Sequence, residues 1–265
     1  MPNMDIEGHT FFFHKDGFEP PPILLLCSTG LDSRQWNDLF PMIDSRSSIC
    51  PHYLCYDGSD SWKGDGGIDP SLDYKLAESL LISQNGPVDI IGHSYGGFIG
   101  LRLAKEHPGK IRRMAFHEPI VWGCLQHTER DDLKNEFGEV VETFFTEGLD
   151  KEDFLRDFVD YWNKEGTWDE MPEIRKNSWM RIQQKILSEV RLLCYDLTPP
   201  SFYESIEHPI LITLSPDTPP HQFEACNIAA ASMPNSKVVH VPGGHMGLVT
   251  NSEKVLPHLI EWILD

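Results

Sequence analysis

The sequence predicts an α/β protein: a mostly parallel central sheet with helices on both faces, and a helical insertion after the sixth strand. Three observations carry this. Short apolar runs such as Ile23-Leu24-Leu25-Leu26-Cys27 and Ile210-Leu211-Ile212-Thr213-Leu214 read as strands buried on both faces. They alternate with segments of helical periodicity, the rhythm of a parallel sheet. From Ile120 to about Ile206 the strand pattern stops and amphipathic helices replace it.

Taken in order, Thr10 to His14 is a short strand ended by the turn residues Asp16-Gly17. Pro20-Pro21-Pro22 leads into the buried run at Ile23. Asp32 or Ser33 can cap a helix running toward Met42, and Cys50 to Tyr56 is the next strand. A loop rich in Gly, Ser and Asp covers Asp57 to Pro70, and Ser71 opens a helix carrying Leu72, Leu76, Leu80 and Leu81. Val88-Asp89-Ile90-Ile91 is a strand, a helix spans about Tyr95 to Glu106, and Ile111 to Phe116 is the next strand. Leu133 to Phe145, Phe154 to Trp162 and Ile182 to Leu193 then give three apolar helical stripes. The sheet pattern returns at Pro209, followed by a helix near His221 to Ser232, a strand Lys237 to Val241 and a last helix Ser252 to Leu264. The expected organisation is a core of residues 1–119 and 208–265, with an insertion at 120–207.

A chain of 265 residues suffices for one large core. The formal charge of −19 repels nucleic acid and anionic membrane surfaces, so neither is an expected partner. No long apolar run and no secretory leader is read, which points to the cytoplasm. The six cysteines form no CxxC pair and no cluster with histidines; neither a disulfide nor a metal site is expected. A homodimer stays open, because the sequence does not mark a dimer surface.

The chemistry concentrates at Gly92-His93-Ser94-Tyr95-Gly96, a G-x-S-x-G between a strand and a helix. So tight a turn needs small residues two positions either side of the serine, and it lifts the hydroxyl above the sheet edge. A serine needs a base to take its proton, and a histidine held by a carboxylate supplies one. His245 follows the last strand in Pro242-Gly243-Gly244-His245-Met246, where a glycine loop can swing an imidazole over the sheet. Asp217, in Ser215-Pro216-Asp217-Thr218-Pro219, is the favoured acid, and Glu118 in Phe116-His117-Glu118-Pro119 is its rival. The order Ser…Asp…His suits this arrangement.

The elbow, the Asp loop and the Gly-Gly-His loop together resemble the α/β-hydrolase superfamily. The insertion is similar to the cap that many members carry. The resemblance implies an oxyanion hole from the amides of Tyr95 and Thr29. Where the family reads His-Gly-x-Gly this chain reads Cys27-Ser28-Thr29-Gly30, which brings Ser28 close to the reacting centre. It further implies substrate contacts from Trp122, Phe145, Trp162, Trp168 and Met246, with Phe144, Tyr161 and Met171 as further lining residues. Relatives with dehalogenase or epoxide-hydrolase chemistry place aspartate where Ser94 stands. The reaction implied is hydrolysis of a small, largely apolar ester or lactone through an acyl-enzyme on Ser94, without a cofactor. Two alternatives stand beside it: a C–C bond hydrolase using the same triad, and a ligand-binding or biosynthetic accessory protein that keeps the shell.

Overall fold

The structure, a computed structural model, describes residues 1–43, 46–146 and 151–265. Eight strands form one sheet: β1 (Asn3–Ile6), β2 (His9–Asp16), β3 (Glu19–Leu26), β4 (Arg46–Pro51), β5 (Val88–His93), β6 (Ile111–His117), β7 (Ile210–Leu214) and β8 (Ser236–His240). Their spatial order is β1-β2-β4-β3-β5-β6-β7-β8. The β1–β2 and β2–β4 pairs are antiparallel; every other neighbouring pair is parallel. Every residue of β5 and β7 is buried, as expected of central strands covered on both faces.

The covering helices are α1 (Ser71–Ile82), α2 (Tyr95–Glu106), α7 (Pro220–Ser232), the short α8 (Gly247–Thr250) and α9 (Ser252–Leu264). Between β6 and β7 lie α3 (Asp131–Phe144), α4 (Lys151–Trp162), the one-turn α5 (Thr167–Glu170) and the long α6 (Glu173–Cys194), flanked by 3-10 turns. Among the described residues this stretch contains no strand, as the periodicity implies.

Two elements differ from the sequence expectation. Asp32 does cap, its side chain accepting from Arg34 N, but only 3-10 turns follow, at Ser33–Trp36 and Phe40–Met42. Trp36 and Leu39 are drawn fully into the core, and Pro41 offers no N–H to continue a helix. The strand expected at Cys50 to Tyr56 instead ends at Pro51. Residues after it fold back in a turn, with Tyr56 N donating to Tyr53 O at 3.0 Å and Cys55 at φ 67°.

Helix α2 lies unusually close to the sheet, and its glycines are the reason. A Cβ on Gly96 would lie 2.1 Å from Leu26 O, one on Gly97 2.6 Å from Pro119, and one on Gly100 2.7 Å from the Phe116 ring. Any side chain there would push the first turn of α2, and Ser94 with it, off the ends of β3 and β6.

Candidate active site

Ser94 joins β5 to α2 at φ 55° and ψ −116°, a backbone conformation that non-glycine residues rarely adopt. It is tolerated because both neighbours two positions away lack a side chain: a Cβ on Gly92 would sit 3.0 Å from the Gly96 backbone. The Ser94 hydroxyl donates to His245 Nε2 at 2.9 Å. On the far side of the ring, His245 Nδ1 donates to Glu118 Oε2, also at 2.9 Å. This pairing fixes the tautomer, with the proton on Nδ1 and the lone pair on Nε2 aimed at the serine.

Glu118, and not the favoured Asp217, is therefore the carboxylate on His245. Glu118 directly follows β6 at φ 42°, and its N–H donates to Thr213 O of the neighbouring β7. Its carboxylate is fully buried and accepts from Ser215 N (2.8 Å) and Thr218 Oγ1 (2.7 Å). The loop after β7 thus provides donors that hold an acid from β6, rather than the acid itself. Asp217 is exposed on that loop, where its carboxylate accepts from Gly243 N at 3.4 Å. Burial raises the Glu118 carboxyl, with the Ser215 and Thr218 bonds working the other way. Burial also holds the His245 imidazole neutral, its pKa lowered to about 3.

Two residues that the sequence reading passed over steady this pair. His93, the variable residue before Ser94, donates from Nε2 to the carbonyl of His245 at 2.8 Å. Its Nδ1 accepts from Gln35 Nε2 at 3.2 Å, and Gln35 Oε1 accepts from Ser28 N at 3.0 Å. One side-chain chain thereby ties the turn after β3 to the His245 loop. Burial, and next the nearby His245, push the His93 imidazole well down, consistent with a neutral ring that donates at one nitrogen and accepts at the other. The sequence signal was present only as a histidine inside the elbow; Gln35 had none, since its role depends on a contact across 58 residues.

In the turn after β3, the amides of Ser28, Gly30 and Leu31 are occupied, by Gln35 Oε1, Tyr56 Oη and Ser28 O. Thr29 N has no acceptor among the described residues. Tyr95 N opens α2, where the first amides have no carbonyl one turn back. These are the two amides expected at an oxyanion hole.

Of the lining residues expected, Trp162 at the end of α4 lies flat on His245, ring centroids 3.6 Å apart and 24° from parallel. Trp122 stacks on Trp162 at 5.9 Å, one ring further out, and Tyr161 Oη pairs with His221 Nε2 at 2.5 Å. Met246, Tyr161, Trp162 and His245 line a cleft of about 380 Å³. Phe145 and Trp168 are not at the site. Phe145 packs on Tyr195 and under Arg191, and Trp168 is buried inside the helical segment with its Nε1 donating to Glu152. Phe145 ends the first of the apolar stripes, and periodicity does not distinguish that face from the site; Trp168 sits in the one-turn α5, outside the stripes. Ser94 and His245 are 4% and 2% exposed, and Trp162 of α4 lies over the imidazole ring.

Residues 22–252 match the family model for the alpha/beta hydrolase fold. The chain belongs to this family. Among solved structures, an esterase from Exiguobacterium antarcticum superposes with a TM-score of 0.74 at 18% identity, covering 98% of this chain and 97% of that one. An enol-lactonase from Burkholderia xenovorans gives 0.67 at 16% identity with both chains fully covered. Lipase LipV of Mycobacterium tuberculosis is 26% identical over 102 residues, a match that spans only 38% of either chain.

Three groups that can ligate a metal, Glu78, Glu106 and His107, come together at the other end of α2. That is about 18 Å from Ser94 along the helix at 1.5 Å per residue, and Glu78 already accepts from His107. Among the described residues no helix is long and apolar enough to cross a membrane.

Proposed function

We propose that this hydrolase cleaves a small, largely apolar carboxylic ester or lactone through an acyl-enzyme on Ser94. The observation that carries the reading is the unbroken line from Ser94 Oγ through His245 to Glu118, with 2.9 Å at each step. In the first step His245 Nε2 takes the hydroxyl proton as Oγ attacks the carbonyl carbon. Charge that develops on the carbonyl oxygen is met by the amides of Thr29 and Tyr95. The C–O bond to the leaving group then breaks, and the His245 imidazolium protonates the departing alkoxide. Water, deprotonated by His245, attacks the acyl carbon and releases the acid and free Ser94. Glu118 holds the ring in its tautomer and stabilises the imidazolium throughout. The helical segment acts as a cap: Trp162 and its aromatic neighbours give an apolar roof over the imidazole. The esterase and enol-lactonase folds support the substrate class without fixing it.

Treatment with a fluorophosphonate probe, followed by peptide mass mapping, tests the reading. The expected adduct is on Ser94 and is lost in both Ser94→Ala and His245→Ala. A folded protein that stays unlabelled would sink the assignment.

A further inference from the structure

Lys185 belongs to α6, in the segment between β6 and β7, yet its ammonium is completely buried against the core. It is ion-paired with Asp73 of α1 and with Glu189 one turn further along α6, both equally buried. Burial opposes its charge, but the two carboxylates outweigh that and raise its pKa.

Two hydrogen-bond chains leave this trio. In the first, Glu189 Oε1 accepts from Tyr56 Oη at 3.0 Å, and Tyr56 Oη accepts from Gly30 N at 3.0 Å. Gly30 follows Thr29 directly, so this bond sets the plane of the turn that carries the Thr29 amide. In the second, Asp73 Oδ2 accepts from Tyr95 Oη at 3.0 Å, and Tyr95 supplies the other amide. Helix α6 also presses on the turn itself: a Cβ on Gly30 would lie 3.2 Å from Trp179 and 3.4 Å from Ile186.

A trio that merely pinned α6 to the core would need the two ion pairs and nothing more. Tyr53 shows what an uninvolved neighbour looks like. Its ring lies 6.0 Å from Lys185 Nζ and is just as buried, but its hydroxyl has no hydrogen-bond partner among the described residues. Tyr56 and Tyr95 instead turn their hydroxyls to the carboxylates, and each is attached to one half of the oxyanion hole.

We infer that Lys185 is a positioning residue: through Glu189–Tyr56 and Asp73–Tyr95 it holds both oxyanion amides in register, and it does so only while α6 is docked. The inference rests on the serine-hydrolase reading and adds to it a link between the helical segment and the rate of acylation. Amide placement matters because the donors act at the position of the oxyanion, where small displacements cost rate steeply.

Tyr56→Phe tests this with the ion trio left intact, and Lys185→Met removes the hub. Tyr53→Phe is the control, deleting a buried hydroxyl that has no hydrogen-bond partner among the described residues. Each is assayed on a short-chain aryl acetate and with an alkyl trifluoromethyl ketone, whose adduct on Ser94 carries the oxyanion. For Tyr56→Phe, kcat is expected to fall about tenfold or more with KM within about twofold, since only transition-state binding is lost. The ketone's Ki should rise by the same factor as kcat/KM falls, and Tyr53→Phe should match the wild type. Lys185→Met, if it folds, should show at least the same loss. Unchanged kcat and Ki in folded Tyr56→Phe would overturn the inference, as would a loss confined to KM. Wild-type protein that fails to label at Ser94 would instead remove the hydrolase reading beneath it, and the inference with it.

Discussion

Glu118 adopts a positive φ that a glutamate takes up only at a cost, of order 1 kcal/mol or more, and the turn it makes sends its carboxylate across the end of β7 toward the His245 loop. That strain is held by fixed partners on both sides: the backbone bond to Thr213 O and the two donors from Ser215 and Thr218. A neutral amide at this place would no longer favour the tautomer that leaves Nε2 free. Glu118→Gln is accordingly expected to lower kcat by about four orders of magnitude, the scale seen when a serine triad loses its acid. Asp217→Asn should stay within about threefold of wild type, because among the described residues that carboxylate accepts from Gly243 N alone, at 3.4 Å, and an amide oxygen accepts the same bond. Steady-state assays of the two variants side by side decide it; the reverse ranking would restore Asp217. Both acids were legible as candidates in the sequence. The choice between them was not, because it depends on where Ser215 and Thr218 point their donors.

At the scale of elements, α4 shows how a packing stripe is extended into a site. Phe154, Leu155, Phe158 and Val159 bury one face of the helix, and Trp162 continues that face by one more turn. Because the helix stops there, the last indole overhangs the core and meets His245. Stacking of this kind is worth about 1 kcal/mol beyond the area it buries. Trp162→Ala should destabilise the fold by about 3 kcal/mol, as large-to-small changes in packed sites do. It should also open the imidazole to solvent, so that diethyl pyrocarbonate modifies His245 faster than in wild type, read by peptide mapping. Equal modification rates would mean that Trp162 does not shield the ring. The stripe was visible from periodicity, and so was Phe145, while Trp168 was implied only by the resemblance; which of these aromatics reached the site depended on helix ends and loop lengths.

Across the molecule, the pH response is the sum of opposed buried groups. Burial lowers His93, His117 and His245, whereas it raises Asp73, Glu118 and Glu189, the last to about 7. A histidine whose pKa falls on folding stabilises fully above its unfolded value of about 6.5, and that contribution drains away as acid protonates the unfolded chain first. A carboxyl whose pKa rises on folding acts in the opposite sense, so the total curve hides both. His117, lowered to about 3 by burial, separates them, since its ring is bound to neutral groups, Thr213 Oγ1 at Nδ1 and the Gly244 backbone. In His117→Gln this titration is gone. The stability gap between wild type and variant should therefore shrink by about 2 kcal/mol from pH 7 to pH 5. Urea unfolding at the two pH values measures it, and a gap that stays constant would show that His117 protonates equally in both states.

The sequence by itself determined the strand and helix alternation, the elbow at Ser94 and the glycine loop of His245. These are written in local patterns: apolar runs, and glycines at positions where a turn admits nothing larger. It also carried the hairpin start of the sheet poorly, since β1 is short and half exposed and lacks an apolar signature. Only the tertiary structure decided that Glu118 bonds to His245, that Gln35 and His93 tie the turn after β3 to the His245 loop, that Trp162 stacks on the imidazole, and that Lys185 pairs with the two carboxylates bonded to Tyr56 and Tyr95. Each of those relations joins residues far apart in the chain, through a hydrogen bond or stack a few ångströms long. Periodicity reports the face a residue takes on its own element, and nothing about which distant group that face will meet.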